Sequence, residues 1–224
     1  MKIKQIFLVF AFLLCGLSTY GRDKKVTITA SEADAIIYAD GQQVGVGNAV
    51  VVVPAYGQVT VKVVKLAYIT FETTYYNGGG KKPPKSYHVK MIKDDAYEAS
   101  TRSDKANVDF SIIIKDNISA EDAWKLTTQI VTDYFDAIEV SDISTTYLRT
   151  SWNVQGFVSR TVRTRFIIKL GTANPLTYKI KLVSEASNYS GVSVKSDESF
   201  KEWDRVLRKY ENIISDFTTR LGKN

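Results

Sequence analysis

The chain has very few of the residues that most often carry catalytic chemistry. Its 224 residues include one cysteine, Cys15, and one histidine, His88. Hydrolytic and metal-dependent sites that use imidazole need a histidine beside a nucleophile or within a cluster of further ligands. No cluster of His, Asp and Glu in the sequence has metal-ligand spacing. We therefore expect no metal, no cofactor and no enzymatic activity.

Long apolar runs are also scarce, with one exception near the N-terminus. Lys2 and Lys4 precede a continuous apolar run, Ile6–Leu14. This run is too short to span a bilayer, which takes about 20 apolar residues, and the pattern is typical of a secretory signal. We predict that residues 1–21 are a signal peptide cleaved after Gly21. The mature protein would then be exported, to the periplasm or in association with the outer membrane.

The single cysteine lies directly after this apolar run, where a bacterial lipoprotein signal would place its lipid acceptor. The signal that it resembles has a small residue before the cysteine, but here that residue is Leu14. We expect Cys15 to leave with the signal peptide, and lipidation of Cys15 is the alternative. Without Cys15 the mature chain has no thiol and forms no disulfide, so its stability must come from packing.

The net charge of the chain is only modestly positive. The composition, 44% apolar and 24% charged, is that of a folded protein. The formal charge of +6 includes the two lysines of the predicted leader. Such a charge suits contact with anionic envelope polymers or lipid headgroups, and it equally suits plain solubility. Export and the lack of any RNA- or DNA-binding motif argue against nucleic acid as a partner.

Residues 24–98 have the pattern of a small all-β domain. Val59–Lys65 alternates valine with Thr or Lys, as a half-buried strand does, and Asp40-Gly41 is a strong hairpin-turn dipeptide. The glycines at 41, 45 and 47 precede another valine-rich run, whereas a phosphate-binding loop leads into a helix. We therefore interpret this glycine-rich stretch as a corner of the sheet.

The order of these pieces resembles the PEGA domain, a small β-sandwich module of surface and periplasmic proteins. The matching residues are Ala35-x-x-Tyr38-x-Asp40-Gly41-x-x-Val44-Gly45, Pro54-x-x-Gly57-x-x-Thr60-Val61-x-Val63 and Lys65-x-x-Tyr68. The sequence departs from the family pattern at Ala67, where Gly is usual, and at Asn48-Ala49, where Thr-Pro is usual. The resemblance implies a display or adhesion module, and thus binding without catalysis.

The polar residues 99–105 are predicted to form a linker to a second domain, 106–222. In this domain the sequence predicts a strand, a helix from Ser119 to about 137, four strands, and a final helix, Asp197–Leu221. An antiparallel sheet packed by two helices is an α+β arrangement. The order of elements resembles helix-grip domains of bacterial outer-membrane lipoproteins. The predicted fold class is thus an N-terminal β-sandwich followed by an α+β domain.

Cations alternate with apolar residues along the predicted strands of the second domain. Strand periodicity places them on one face of the sheet. They are Arg149, Arg163, Arg165, Lys169, Lys179 and Lys181. This face could bind carboxylates or phosphates, since arginine favours bidentate contacts with both. The alternative is a solvated face whose cations discourage aggregation.

The sequence therefore favours an exported envelope protein that binds or scaffolds without catalysis. Its expected partner is an anionic envelope polymer, either peptidoglycan or lipopolysaccharide, or another envelope protein, and peripheral contact with a membrane is compatible with its charge. The alternative is an envelope glycan hydrolase. Its pair of catalytic carboxylates would depend on the fold and would leave no short motif.

Overall fold

The computed structural model describes residues 21–223 and shows a mostly β protein with antiparallel sheets and few helices, which confirms the coarse expectation. The chain divides into two compact units, one ending at Ile92 and the other beginning at Lys93. The predicted leader lies outside the described residues apart from Gly21, and so does Cys15. Within residues 21–223, no helix combines the length and the apolar character needed to cross a membrane.

The first unit contains one seven-stranded sheet. Its strands are β1 (Lys24–Ala30), β2 (Ile36–Ala39), β3 (Gln42–Val46), β4 (Asn48–Val53), β5 (Gly57–Val64), β6 (Phe71–Asn77) and β7 (Ser86–Val89). Their order across the sheet is β6-β5-β2-β3-β4-β1-β7. All neighbours run antiparallel except β1 and β7, which are parallel.

The turn between β2 and β3 is a hairpin corner, as predicted. Asp40 and Gly41 both have positive φ, 46° and 83°. Positive φ at both central residues is the geometry of a type I′ turn, whose twist matches the flanking strands. The Asp40 carboxylate also accepts a hydrogen bond from the Thr60 backbone amide at 2.8 Å, which ties the turn to β5.

Alternation along β4 and β5 builds the core of this unit. Val51 and Val53 on β4, and Val61 and Val63 on β5, are nearly or fully buried, while their sequence neighbours face outward. Phe71 on β6 stacks on Tyr87 of β7, with ring centroids 5.5 Å apart. The sheet therefore curls until its two edge strands approach each other around the valine core.

The second unit contains a seven-stranded sheet, a two-stranded sheet and three helices. The helices are α1 (Asp95–Glu98), α2 (Ala120–Tyr134) and α3 (Ile213–Leu221). The strands are β8 (Ser100–Arg102), β9 (Asp109–Ile113), β10 (Ile138–Asp142), β11 (Tyr147–Thr150), β12 (Asn153–Gly156), β13 (Thr161–Ala173), β14 (Leu176–Ser187), β15 (Lys201–Glu202) and β16 (Arg205–Leu207). β13 and β14 form the long central hairpin.

Helix α2 begins where the sequence predicts. The Ser119 hydroxyl accepts a hydrogen bond from the Asp122 amide at 3.1 Å, which satisfies one of the free amides of the first turn. Trp124, Ile130 and Val131 lie on the buried face of the helix. This amphipathic helix packs into the same core as α3 and the inner face of the long hairpin.

The predicted final helix, Asp197–Leu221, is wrong over more than half of its length, because only α3 is helical. The preceding residues form two 3-10 turns and the short strands β15 and β16. The Trp203 amide donates to the Ser184 carbonyl at 2.9 Å, and β16 pairs with β8. The residues that suggested a helical stripe are buried because short segments pack against the sheet. Apolar spacing alone does not separate the two arrangements.

Residues 99–105, predicted to be a linker, are partly built into the second unit. Ser100 is fully buried on β8, its hydroxyl donates to the Ala96 carbonyl at 2.6 Å, and Arg205 donates to the same hydroxyl at 2.7 Å. The predicted domain boundary at residue 98 also falls within this unit, since Ala96 belongs to its core. The division observed in the structure comes between Ile92 and Lys93.

Candidate functional site

The candidate site lies on the face of the β13–β14 hairpin that points away from the core. On the inner face, Phe166, Ile168 and Ile180 are fully buried. Because successive side chains point to opposite faces, the intervening positions on both strands share the outer face. The cations predicted for that face are Arg163, Arg165 and Lys169 on β13, Lys179 and Lys181 on β14, and Arg149 on β11.

Two of these cations have carboxylate partners near the edges of the face. Arg149 donates from Nη2 to Glu139 Oε1 at 3.0 Å. The Lys181 ammonium lies 3.6 Å from Asp109 Oδ1, on the neighbouring strand β9. Both pairs are partly exposed, and exposed pairs of this kind contribute about 0–1 kcal/mol. Arg149 and Lys181 are therefore largely neutralised within the protein.

Arg163 was expected to face solvent, but it is 3% exposed. It donates to Glu185 at 2.7 Å and to Asp197 at 2.6 Å, and it also donates to the Val194 carbonyl at 2.7 Å. Its guanidinium lies 4.1 Å from the Phe200 ring centroid. The segment around the first 3-10 turn covers this part of the face, and Arg163 holds it in place. This arginine stabilises the covering segment, and its burial closes it to a ligand from solvent.

Arg165, two positions further along the same strand, contacts an aromatic ring but no carboxylate of the described residues. Its guanidinium carbon lies 4.0 Å from the centroid of the Trp152 ring. Among the described residues it forms no ion pair, and its buried Nε has no hydrogen-bond partner. Burial lowers the pKa of Arg165, and the neighbouring charge of Arg149 lowers it further. Arginine nevertheless stays protonated at neutral pH, so this is a charged group with unused donors.

Lys169 and Lys179 lie directly opposite each other on the antiparallel pair. Both are exposed, and neither forms an ion pair within residues 21–223. Like charges directly opposite on neighbouring strands are destabilising. Arg165 lies on the same face, and its Cα is about 13 Å from that of Lys169 along the strand. We call these three residues, Arg165, Lys169 and Lys179, the open cationic patch.

Sequence reasoning missed the part played by Trp152. Strict alternation along a strand ending at 152 would place the indole on the inner face with Leu148 and Thr150. Instead β11 ends at Thr150, and β12 starts at Asn153 against a different part of β13. The break reverses the alternation, and Trp152 contacts Arg165 and also Arg163, at 4.3 Å. No local signal in the sequence marks this break.

The histidine and the acidic residues of the described chain supply no metal site. His88 is exposed, and its Nδ1 lies 3.0 Å from the Thr29 hydroxyl. Across residues 21–223 no group of three or more His, Cys, Asp or Glu side chains is arranged to hold a metal ion. What the open cationic patch can do chemically is to bind anions, with Arg165 as a planar donor and the two lysines as point charges.

No family model, no curated protein and no solved structure matches this chain.

Proposed function

We propose that this protein is an exported, non-enzymatic component of the cell envelope that binds an anionic envelope polymer through the open cationic patch. One observation carries the proposal: within the described residues, Arg165, Lys169 and Lys179 share a sheet face and lack carboxylate partners. Every other cation predicted for that face has a carboxylate within 4 Å.

The patch should attract an anion because its positive charges are not balanced within the described residues. Lys169 and Lys179 repel each other across the hairpin. Arg165 is partly buried, and the carboxylates nearest to it, Glu185 and Glu139, are already bound to Arg163 and Arg149. All three charges therefore gain from a further counter-charge. The Arg165 guanidinium packs against the ring of Trp152, which restricts its movement. A donor group that is already oriented loses less entropy when it binds a ligand.

The shape of the patch favours a polymer over a single small anion. Arg165 and Lys169 are separated by about 13 Å along β13, with the half-buried Ile167 between them. A ligand that bridges both cations needs anionic groups at comparable spacing and an apolar or neutral segment between them. Peptidoglycan, with its peptide carboxylates, and lipopolysaccharide, with its phosphates, both offer repeated anionic groups. A different envelope protein with an acidic surface would be recognised by the same chemistry.

Two further parts of the proposal rest on the sequence. The envelope location rests on the predicted signal peptide, residues 1–21, and is checked by fractionation of the producing cells. The resemblance of residues 24–98 to the PEGA domain supports a display or adhesion role for the first unit. Both are consistent with a protein that acts by noncovalent contact.

Co-sedimentation with purified sacculi tests the patch directly. We expect Lys169→Glu plus Lys179→Glu to weaken retention at least about tenfold, since two attractive contacts become repulsive. A matched control, Lys195→Glu plus Lys201→Glu, makes the same change in net charge at exposed positions of the same unit. Retention should fall steeply with salt for the wild type. Equal retention of the two double variants in moderate salt would remove the patch from the proposal.

Purified sacculi also test the proposal that the protein is not an enzyme. Sacculi incubated with the purified protein should release no soluble fragments above the background of buffer alone. Release of reducing sugars or muropeptides in proportion to protein concentration would establish a hydrolase instead, which is the alternative that the sequence left open.

A further inference from the structure

A second surface, at one end of the first unit, is held together by a buried asparagine. Asn77 Nδ2 donates to the carbonyls of Arg22 at 2.9 Å, Val53 at 3.2 Å and Pro54 at 3.1 Å. The Ala55 amide donates to the Asp23 carboxylate at 2.9 Å. The start of β1, the turn after β4 and the loop after β6 are therefore fixed side by side.

This end of the sheet is rich in exposed lysine and tyrosine. Tyr56 is 68% exposed and Tyr76 is 43% exposed. The Lys81 ammonium lies 4.6 Å from the centre of the Tyr76 ring. The exposed cations here are Arg22, Lys24, Lys81, Lys82 and Lys85. We call this surface, formed by these cations with Tyr56 and Tyr76, the basic aromatic end.

The opposite end of the same sheet has a different electrostatic character. There Lys65 donates to Glu32 and to Asp34, each at 2.7 Å. Two carboxylates thus neutralise Lys65, whereas the carboxylate of Asp23 at the basic aromatic end accepts a hydrogen bond from the Ala55 amide and has no ion-pair partner among the described residues. The charge of the first unit is concentrated at one end.

We propose that the basic aromatic end docks on an anionic lipid surface. Tyrosine has an apolar ring and a polar hydroxyl, and it is enriched where a membrane meets water. Lysine places its ammonium among anionic headgroups while its methylene chain lies along apolar surface. The adjacent exposed tyrosines and lysines fit this boundary better than they fit a soluble polyanion, which would need the cations alone.

The N-terminal end of the described chain also lies at the basic aromatic end. Gly21 lies against Tyr56, so closely that a Cβ on it would come within 2.5 Å of a carbon of the tyrosine ring. The apolar run Ile6–Leu14 ends seven residues earlier, and seven residues reach at most about 25 Å. In the alternative in which Cys15 is lipidated and retained, the lipid would keep this end near the membrane. Cleavage after Gly21 would add the α-amino group of Arg22 to the same surface.

Vesicle co-sedimentation tests the proposal with the purified protein. The probes are vesicles of phosphatidylcholine with phosphatidylglycerol, and vesicles of phosphatidylcholine alone. We expect binding only to the anionic vesicles, and at least about tenfold weaker binding for Lys81→Glu plus Lys82→Glu. The matched control is Lys90→Glu plus Lys105→Glu, two exposed lysines outside this surface. It should bind like the wild type.

A second variant separates the aromatic contribution from the charge. Tyr56→Ser plus Tyr76→Ser should weaken binding by a factor that stays constant as salt is raised, because apolar contacts are not screened. Circular dichroism confirms that each variant is folded. Unchanged binding of Lys81→Glu plus Lys82→Glu, or equal binding of the wild type to both kinds of vesicle, would overturn the proposal. So would loss of vesicle binding in Lys169→Glu plus Lys179→Glu, since the lipid contact would then belong to the open cationic patch.

Discussion

Arg163 and Arg165 lie two positions apart on one face of one strand and contact the same tryptophan ring, yet only Arg163 has ion-pair partners within the described chain. Arg163 is enclosed by two carboxylates, a carbonyl and two aromatic rings. Arg165 contacts the same Trp152 ring but forms no ion pair among residues 21–223, and it feels Glu185 and Glu139 only as charges at longer range. Alternation determines the face of a sheet on which a side chain lies. The segments that cover that face determine whether the side chain stabilises the fold or remains available to a ligand.

Other cations of the protein also differ in whether they have a carboxylate partner. Lys65 is paired with two carboxylates, while Lys169 and Lys179 face each other without one. Cations whose ion pairs are shielded from solvent should matter for stability and little for binding. Unpaired cations should matter for binding and little for stability. This contrast can be tested one residue at a time.

The largest effect on stability is expected at the covered arginine. Arg163→Met should lower the free energy of unfolding by about 3 kcal/mol, because it leaves Glu185 partly buried without its counter-charge and releases the segment that contains Asp197. Urea denaturation followed by circular dichroism measures the change.

Lys169→Met is the matched control for this experiment. It removes a cation from the same face of the same strand, at an exposed position, and should change stability by no more than about 0.5 kcal/mol. If both variants unfold at the same urea concentration as the wild type, Arg163 is not structural and the contrast with Arg165 fails.

A smaller and opposite effect is expected within the open cationic patch. Lys169→Glu converts a repulsive cross-strand pair with Lys179 into an attractive one, so it should raise the free energy of unfolding by about 0.5 kcal/mol. The same variant should bind sacculi less tightly. Lys169→Gln, which removes the repulsion without adding attraction, should fall between the wild type and Lys169→Glu in stability. A loss of stability in Lys169→Glu would mean that an interaction other than repulsion dominates at this pair.

The features that local chemistry controls could be predicted from the sequence. The Asp40-Gly41 hairpin, the strand pairing of β13 with β14 and the Ser119 cap of α2 each depend on a few neighbouring residues. The final helix could not be predicted, because β15 and β16 form by pairing with strands far away in the chain. The position of Trp152 and the covering of Arg163 depend on similarly distant contacts. Alternation in the sequence assigns cations to a face of the sheet, and contacts with distant segments decide which of them remain unpaired.

The smallest effect concerns Lys65, which is paired with two carboxylates in the first unit. Hydrogen bonds from Lys65 lower the pKa values of Glu32 and Asp34 below their usual range. A lowered carboxyl pKa contributes stability above the ordinary value, near pH 4, and this contribution disappears as the pH falls through the lowered value. Lys65→Met should therefore melt below the wild type at pH 7, and the two melting temperatures should converge on acidification.

Lys62→Met is the control for this comparison. Its ammonium lies 3.0 Å from Glu72, but both side chains are about half exposed, 46% and 55%, so solvent weakens the pair. Its melting temperature should stay close to that of the wild type at every pH. A gap between Lys65→Met and the wild type that persists undiminished in strong acid would show that Lys65 stabilises the sheet by packing and not by its charge. The division between paired and unpaired cations would then hold for the second unit alone.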